Sequence, residues 1–299
     1  MFELSQYSLG VAAALIAFAL VGYAAVVATA GRRRRTPALV HAGAAGGDDV
    51  AGSARPAPTA PDAPARGAAW WASRMVWLAV AFLTAALVLR TIATGHAPFA
   101  NQFEFAISFA WGITVAFAWF DWRYEIRALA LAVLPVVLAL MLYATTQDAE
   151  PSPLIPALQN SVLLTLHVLT AALSYGAACV SFGAAVLYLA KPHVTWKLPS
   201  YDTLDEVGYR GTVITFPLLT VMIILGALWA DTAWGRYWGW DPKETAALVT
   251  WLIYAAYLHA RVVRDWRGTR AAWLLVLGFA AVMFSYFGNH FFGGLHSYG

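Results

Sequence analysis

Cysteine is almost absent from this 299-residue chain: Cys179 is the only one. A single thiol excludes an internal disulfide and every paired-cysteine metal or redox motif. Set among Ala, Val and Ser in an apolar run, Cys179 reads as a packing residue. Charge is scarce as well. Asp, Glu, Lys and Arg make up 12% of the residues against 61% hydrophobic, where an ordinary soluble domain carries about 25% charged residues. So little charge cannot surround a soluble core of this size. The formal net charge of +3 is modest, and no nucleic-acid partner is expected from it. The chain reads as an integral membrane protein whose main surroundings are the lipid bilayer.

What it has instead is long apolar runs. A spanning helix needs about 20 mostly apolar residues, and eight segments qualify: 7–30, 71–92, 103–120, 126–146, 160–190, 211–230, 244–262 and 271–292. The expected fold class is all-α, a polytopic membrane protein of about eight transmembrane helices. The first run is followed, not preceded, by the cluster "RRRR" at 32–35, which is the wrong order for a signal peptide. It is expected to be a membrane anchor.

Lys and Arg set the orientation, because cytoplasmic loops retain positive charge. With the N-terminus outside, the inner segments 31–74, 121–127, 191–210 and 261–270 hold 16 of the 19 basic residues. Only Arg90, Arg236 and Lys243 remain on the outer side. Both termini are therefore expected to be extracytoplasmic, in the cell (plasma) membrane. The organisation reads as an N-terminal helix (1–30), a cytoplasmic linker (31–69) and a membrane domain (70–299). The linker's Ala, Pro and Gly richness cannot bury a core, so disorder is expected there.

Seven histidines can be sorted by depth. His41 and His193 fall in inner segments and read as solvated. Ionisable groups inside a bilayer are costly and point to function. His167 falls roughly 10 Å into its helix from the outer start, and His259 roughly 22 Å into the next-but-one, at 1.5 Å per residue. His167 and the C-terminal His296 can serve one outer metal centre, whereas His259 belongs to another layer. Near them lies "WADTAWGRYWGWDPKE", with Trp229, Trp234, Trp238 and Trp240 inside twelve positions. An aromatic belt spreads tryptophans over many helix ends; this is a cluster. Aromatic faces suit a flat apolar ring system and neutral imidazoles suit a transition metal. Together they describe a metalloporphyrin site, with Arg90, Arg236 and Lys243 on the correct side to meet its propionates.

The segment 226–261, "GALWADTAWGRYWGWDPKETAALVTWLIYAAYLHAR", resembles the tryptophan-rich WWD signature of haem-handling proteins in cytochrome c maturation. "GHAPFANQFEF" (95–105), "LHVLTAALSYG" (166–176) and "YFGNHFFGGLHSYG" (286–299) resemble the CcsA (ResC) family of system II cytochrome c biogenesis. The resemblance runs from about residue 71 to the C-terminus. It implies haem b as transported substrate, with His167 and His296 as axial ligands. The loop from Trp229 to Asp241 would then hold the porphyrin. His259 would mark a haem site within the membrane, its opposing ligand on a CcsB (ResB) partner. His290 departs from the family's usual "FGVN" pattern and reads as interfacial packing. Further implied partners are apocytochrome c and a thiol-reducing thioredoxin-like protein.

On this resemblance the chain is a component of a cytochrome c synthase (haem lyase) complex that supports thioether attachment to CxxCH motifs. Asp241 allows two readings. It is a candidate proton-handling residue, or with Glu244 it caps the helix starting at Pro242. The rival functions are a CcmC-type haem exporter, for which six spans and no "GLHSYG" ending are expected, and a proton-coupled solute transporter, which would need internal repeats.

Overall fold

The computed structural model of the chain describes residues 1–32, 63–150, 154, 156–159, 161–288, 292 and 294. Most of the linker, His41, His290 and His296 lie outside the described residues. Among the described residues the α-helices are eight, joined in places by short 3-10 turns: α1 Phe2–Arg32, α2 Ala63–Thr94, α3 Gln102–Tyr124, α4 Ala130–Thr145, α5 Ser161–Ala190, α6 Tyr201–Trp234, α7 Pro242–Val263 and α8 Thr269–Phe287. No strand occurs among the described residues. All eight helices are long and apolar enough to cross a membrane, so the chain is a polytopic, multi-pass membrane protein.

Several boundaries depart from the hydropathy pattern, the start of α1 at Phe2 among them. The helix α2 starts at Ala63, inside the stretch read as linker. The helix α6 starts at Tyr201 rather than 211, because its first turns carry Asp202, Asp205, Glu206 and Arg210 and no apolar run. Ser200 starts it, its hydroxyl accepting from the Thr203 amide at 3.1 Å. The helix α8 stops at Phe287, short of the expected 292.

Successive antiparallel spans place the starts of α3, α5 and α7 and the ends of α2, α4, α6 and α8 together. This is the tryptophan end of the bundle; the opposite, basic end carries the Lys- and Arg-rich segments. The helix α5 runs between α3 and α6. At Gly112 the α3 and α5 backbones touch so closely that a Cβ would overlap the Ala172 carbonyl. Small residues that let backbones meet are the usual device for helix association in lipid. Here they fix the register of α5, and with it the height of His167.

Buried ionisable side chains sit at the ends of the bundle, where they tie helices together. At the basic end Asp121 accepts from Tyr23 Oη at 2.7 Å and from Arg127 Nη1 at 2.6 Å, joining α1 to α3. Nearby, Arg261 Nη1 and Asp205 Oδ2 are 2.5 Å apart, joining α7 to α6. At the tryptophan end Arg90 Nε donates to Glu104 Oε1 at 2.6 Å, with both side chains fully buried. Arg90 Nη2 also donates to the Ala149 carbonyl at 2.8 Å. The guanidinium lies over the rings of Phe2 and Phe103.

Candidate functional site

A cavity of about 1070 Å³, counted with its open mouth, lies at the tryptophan end between α3, α5, α6, α7 and α8. Its walls are apolar and small where α6 faces α5: Ala171, Gly226, Ala227 and Ala230 line it. Polar groups enter at separate places. His167 projects from α5, Lys243 and Glu244 stand at the start of α7, and Tyr175, Ser285 and Tyr286 form the inner floor.

The geometry around His167 decides what it can do. Its Nδ1 lies 2.8 Å from the Met222 carbonyl oxygen of α6. A carbonyl only accepts, so Nδ1 carries the proton and Nε2 carries the lone pair. The bond sets the tautomer and the ring orientation, which is also what a metal-ligating histidine requires of its second nitrogen. Gly226, one turn beyond Met222, makes the approach possible. A Cβ there would fall 2.7 Å from His167 Cε1 and 2.9 Å from Nδ1. The ring also lies 13° from parallel with the Trp229 indole, centroids 6.3 Å apart.

The tryptophan cluster divides by role. Trp229 is buried against Phe99, Leu158, Leu164 and Val168 and lines the cavity beside His167. Trp234 packs edge-on against Trp229 at 4.8 Å, outside the lining. Trp238 lines the cavity, and Trp240, against it at 5.8 Å, points away and is 69% exposed. The four indoles thus do not form one shelf. Gly235 ends α6 in the left-handed conformation at φ 71°, and Trp240 adopts φ 56° before the next helix begins. For a bulky residue that conformation is strained.

Asp241 takes the capping position of α7. Its Oδ1 accepts from the Lys243 amide at 2.9 Å, while Glu244 Oε2 accepts from the Gly239 and Asp241 amides at 2.8 and 3.1 Å. This reciprocal box holds the loop against the helix it starts. The C-terminal segment reaches the same place, since a Cβ on Gly294 would overlap Asp241 Oδ2. His296 follows two residues later in the sequence, outside the described residues.

The remaining expectations fall elsewhere. Arg90 does not reach the cavity, because its buried guanidinium is committed to Glu104 and the Ala149 carbonyl. Arg236 is exposed beside Gly239, off the lining. The cation the structure does bring to the cavity is Lys243, whose Nζ stands 5.3 Å from the Phe105 centroid. His259 is exposed on α7, seventeen residues, hence about 26 Å, from that helix's start, in a different layer from His167. Gly226, Met222 and Tyr286 line the cavity without having been named as site residues from the sequence. Gly226 and Tyr286 open two of the segments that carry the resemblance, and Gly226 is an isolated glycine within an apolar helix; Met222 carries no signal.

Comparison with known proteins follows the same lines. The family profile described as "Cytochrome C assembly protein" matches residues 99–296. The chain is 38% identical over 251 residues to the cytochrome c biogenesis protein CcsA of Guillardia theta, covering 74% of this chain and 83% of that one. It is 37% identical over 269 residues to the CcsA protein of a Synechococcus strain, covering 76% and 85%. Among solved structures, the cytochrome c haem lyase CcmF superposes with a TM-score of 0.64 at 19% identity. That match covers 96% of this chain and 46% of the CcmF chain, and it speaks to the fold.

Proposed function

We propose, for a chain that belongs to the cytochrome c assembly family and within it to the CcsA proteins, that it binds haem in the cavity at the tryptophan end and presents it for covalent attachment to apocytochromes c. The tryptophan end faces the outside in this reading, in keeping with the basic residues gathered at the other. Haem b is the substrate carried, not a resident cofactor. The single observation that carries the proposal is the His167–Met222 hydrogen bond, which makes Nδ1 the donor and fixes the tautomer of an imidazole that lines the cavity. His296 is the opposing axial ligand in this account, and the seat of Gly294 against Asp241 supports it.

The indole beside His167 has a defined part. An axial imidazole stands perpendicular to the macrocycle, so an indole parallel to that imidazole cannot lie flat on the porphyrin. Trp229 instead holds the histidine upright, and Trp238 is the indole placed to meet the macrocycle. Lys243 is the cation for a propionate, in place of Arg90 and Arg236. Two imidazoles fill both axial positions and leave none open to oxygen; axial ligation is also a main lever on the iron's redox behaviour. Attachment adds each acceptor thiol across a vinyl double bond. One C–S bond forms, the thiol proton goes to the neighbouring vinyl carbon, and no electron is lost. The protein's contribution to that step is positioning, together with a CcsB/ResB-type partner and a thioredoxin-like protein that keeps the acceptor thiols reduced. His259, exposed on α7, takes a second haem against that partner.

The test is a haem titration of the full chain, purified with its membrane partner in lipid nanodiscs. The expected result is a saturable Soret band at one haem per chain, low-spin and six-coordinate, in addition to any haem held at the membrane site. Binding that rises without saturation, as partitioning into lipid does, contradicts the proposal.

A further inference from the structure

Two carboxylates stand at the start of α7, and the structure separates them. Asp241 is 6% exposed and off the cavity lining. Its Oδ1 accepts from the Lys243 amide, and Gly294 lies against its Oδ2. Glu244 does line the cavity. Both loop amides that it accepts, those of Gly239 and Asp241, fall on one oxygen, Oε2, at 2.8 and 3.1 Å. The other oxygen, Oε1, takes no hydrogen bond among the described residues and, unlike the Tyr286 hydroxyl, is not sealed from solvent. One half of the carboxylate holds the loop, and the other half is open.

The fold keeps that open oxygen at the cavity mouth. Glu244 reaches back along the loop to Gly239, the residue after Trp238, whose indole meets the macrocycle in the reading above. Lys243 reaches instead to the Phe105 ring of α3, its Nζ 5.3 Å from the centroid. The neighbouring cation and carboxylate are thus directed to different parts of a bound ligand. Two amides on Oε2 fix the side chain in one place, so Oε1 is held in position as well. A group that moves a proton must stand within hydrogen-bond reach of it, and an acceptor thiol enters by this mouth.

We infer that Glu244, through Oε1, is the catalytic residue that moves the proton during thioether formation. This rests on the haem-binding reading above and gives the chain a part in the chemistry besides positioning. Addition to a vinyl group breaks an S–H bond and the C=C π bond, and it forms a C–S and a C–H bond. Oε1 takes the proton of the acceptor thiol as sulfur bonds to the inner vinyl carbon. The proton then passes to the outer vinyl carbon, and Glu244 ends ionised as it began. No oxidant or reductant is consumed. Asp241, closed off in the cap, has no part in the transfer.

The experiment uses the full chain purified with its membrane partner in nanodiscs, loaded with haem, reduced with dithionite and given a synthetic CxxCH peptide. Covalently attached haem is followed in time, giving the rate at saturating peptide and the peptide concentration for half that rate. Glu244→Gln keeps the capping box, because a glutamine oxygen at this position accepts the same amides; what it removes is the base. It is expected to bind haem as wild type does and to slow the saturated rate on the order of 10²-fold, with the half-saturating concentration unchanged. Glu244→Ala gives up the box as well. Formate, a carboxylate small enough for the vacated space, is expected to restore part of its rate, and chloride at the same concentration none. A Glu244→Gln rate equal to that of wild type overturns the inference and leaves Glu244 a cap. A slow Glu244→Gln beside a Glu244→Ala rate that formate does not move also overturns it, assigning the defect to the loop. Wild type that gives no saturable Soret band, or binds haem and attaches none, overturns the reading on which the inference rests.

Discussion

Gly226→Val is expected to lose haem binding by about 10–100-fold while the protein remains folded, the range for disturbing the partners that orient a metal ligand. A Cβ at position 226 would stand 2.7 Å from His167 Cε1, and the valine methyls reach further. The ring is fixed in its present place by the hydrogen bond from Nδ1 to the Met222 carbonyl. It must leave its rotamer, which breaks the hydrogen bond that fixes the tautomer. Valine itself is well tolerated in a membrane helix, so the defect is confined to the site. Gly226→Ala should show the same defect in milder form. Soret titration of both variants, with size-exclusion profiles to check folding, reads this directly. Haem affinity unchanged in Gly226→Val would mean that His167 is not held in the orientation described.

The second large effect concerns Arg90 and Glu104. Glu104→Ala leaves a guanidinium buried between Phe2 and Phe103 without its carboxylate. Breaking a buried pair in this way costs about 3–5 kcal/mol. Replacing both partners with apolar residues of similar size is often neutral, so Arg90→Leu combined with Glu104→Leu should recover most of that loss. Unfolding by denaturant in detergent measures both. The double variant also separates two roles for Arg90. If the pair only ties α2 to α3 and the Ala149 segment, haem affinity in the double variant matches wild type. A large loss of haem affinity in a fully stable double variant would return Arg90 to the site as a propionate partner.

The eight spans are legible in the amino-acid sequence because lipid demands long apolar runs and little else produces them. The start of α6 is not, because Asp202, Asp205, Glu206 and Arg210 make its first turns polar, and hydropathy has no means of distinguishing such turns from a loop. The sign of Arg90's charge is visible in the chain, and so is the end of the bundle it belongs to. Its commitment to Glu104 is not, since that depends on how α2 and α3 pack. Likewise four tryptophans in twelve positions mark the loop, yet only the turn geometry at Gly235 and Trp240 sends Trp240 outward and leaves Trp238 on the cavity. The pairing of His167 with Met222 and Gly226 follows from the register of α5 on α6 and has no signature in either segment.

The most direct test of the central claim is the visible spectrum of the protein purified with its membrane partner, compared with His167→Gly before and after adding imidazole. Gly opens a space the size of the lost side chain, and free imidazole can occupy it with the same ligating nitrogen. The account predicts that wild type shows a reduced, low-spin, six-coordinate haem, that His167→Gly loses it at the outer site, and that imidazole restores it. A spectrum in His167→Gly indistinguishable from wild type, with no response to imidazole, would contradict the claim that His167 ligates the iron and that this cavity is where haem is held.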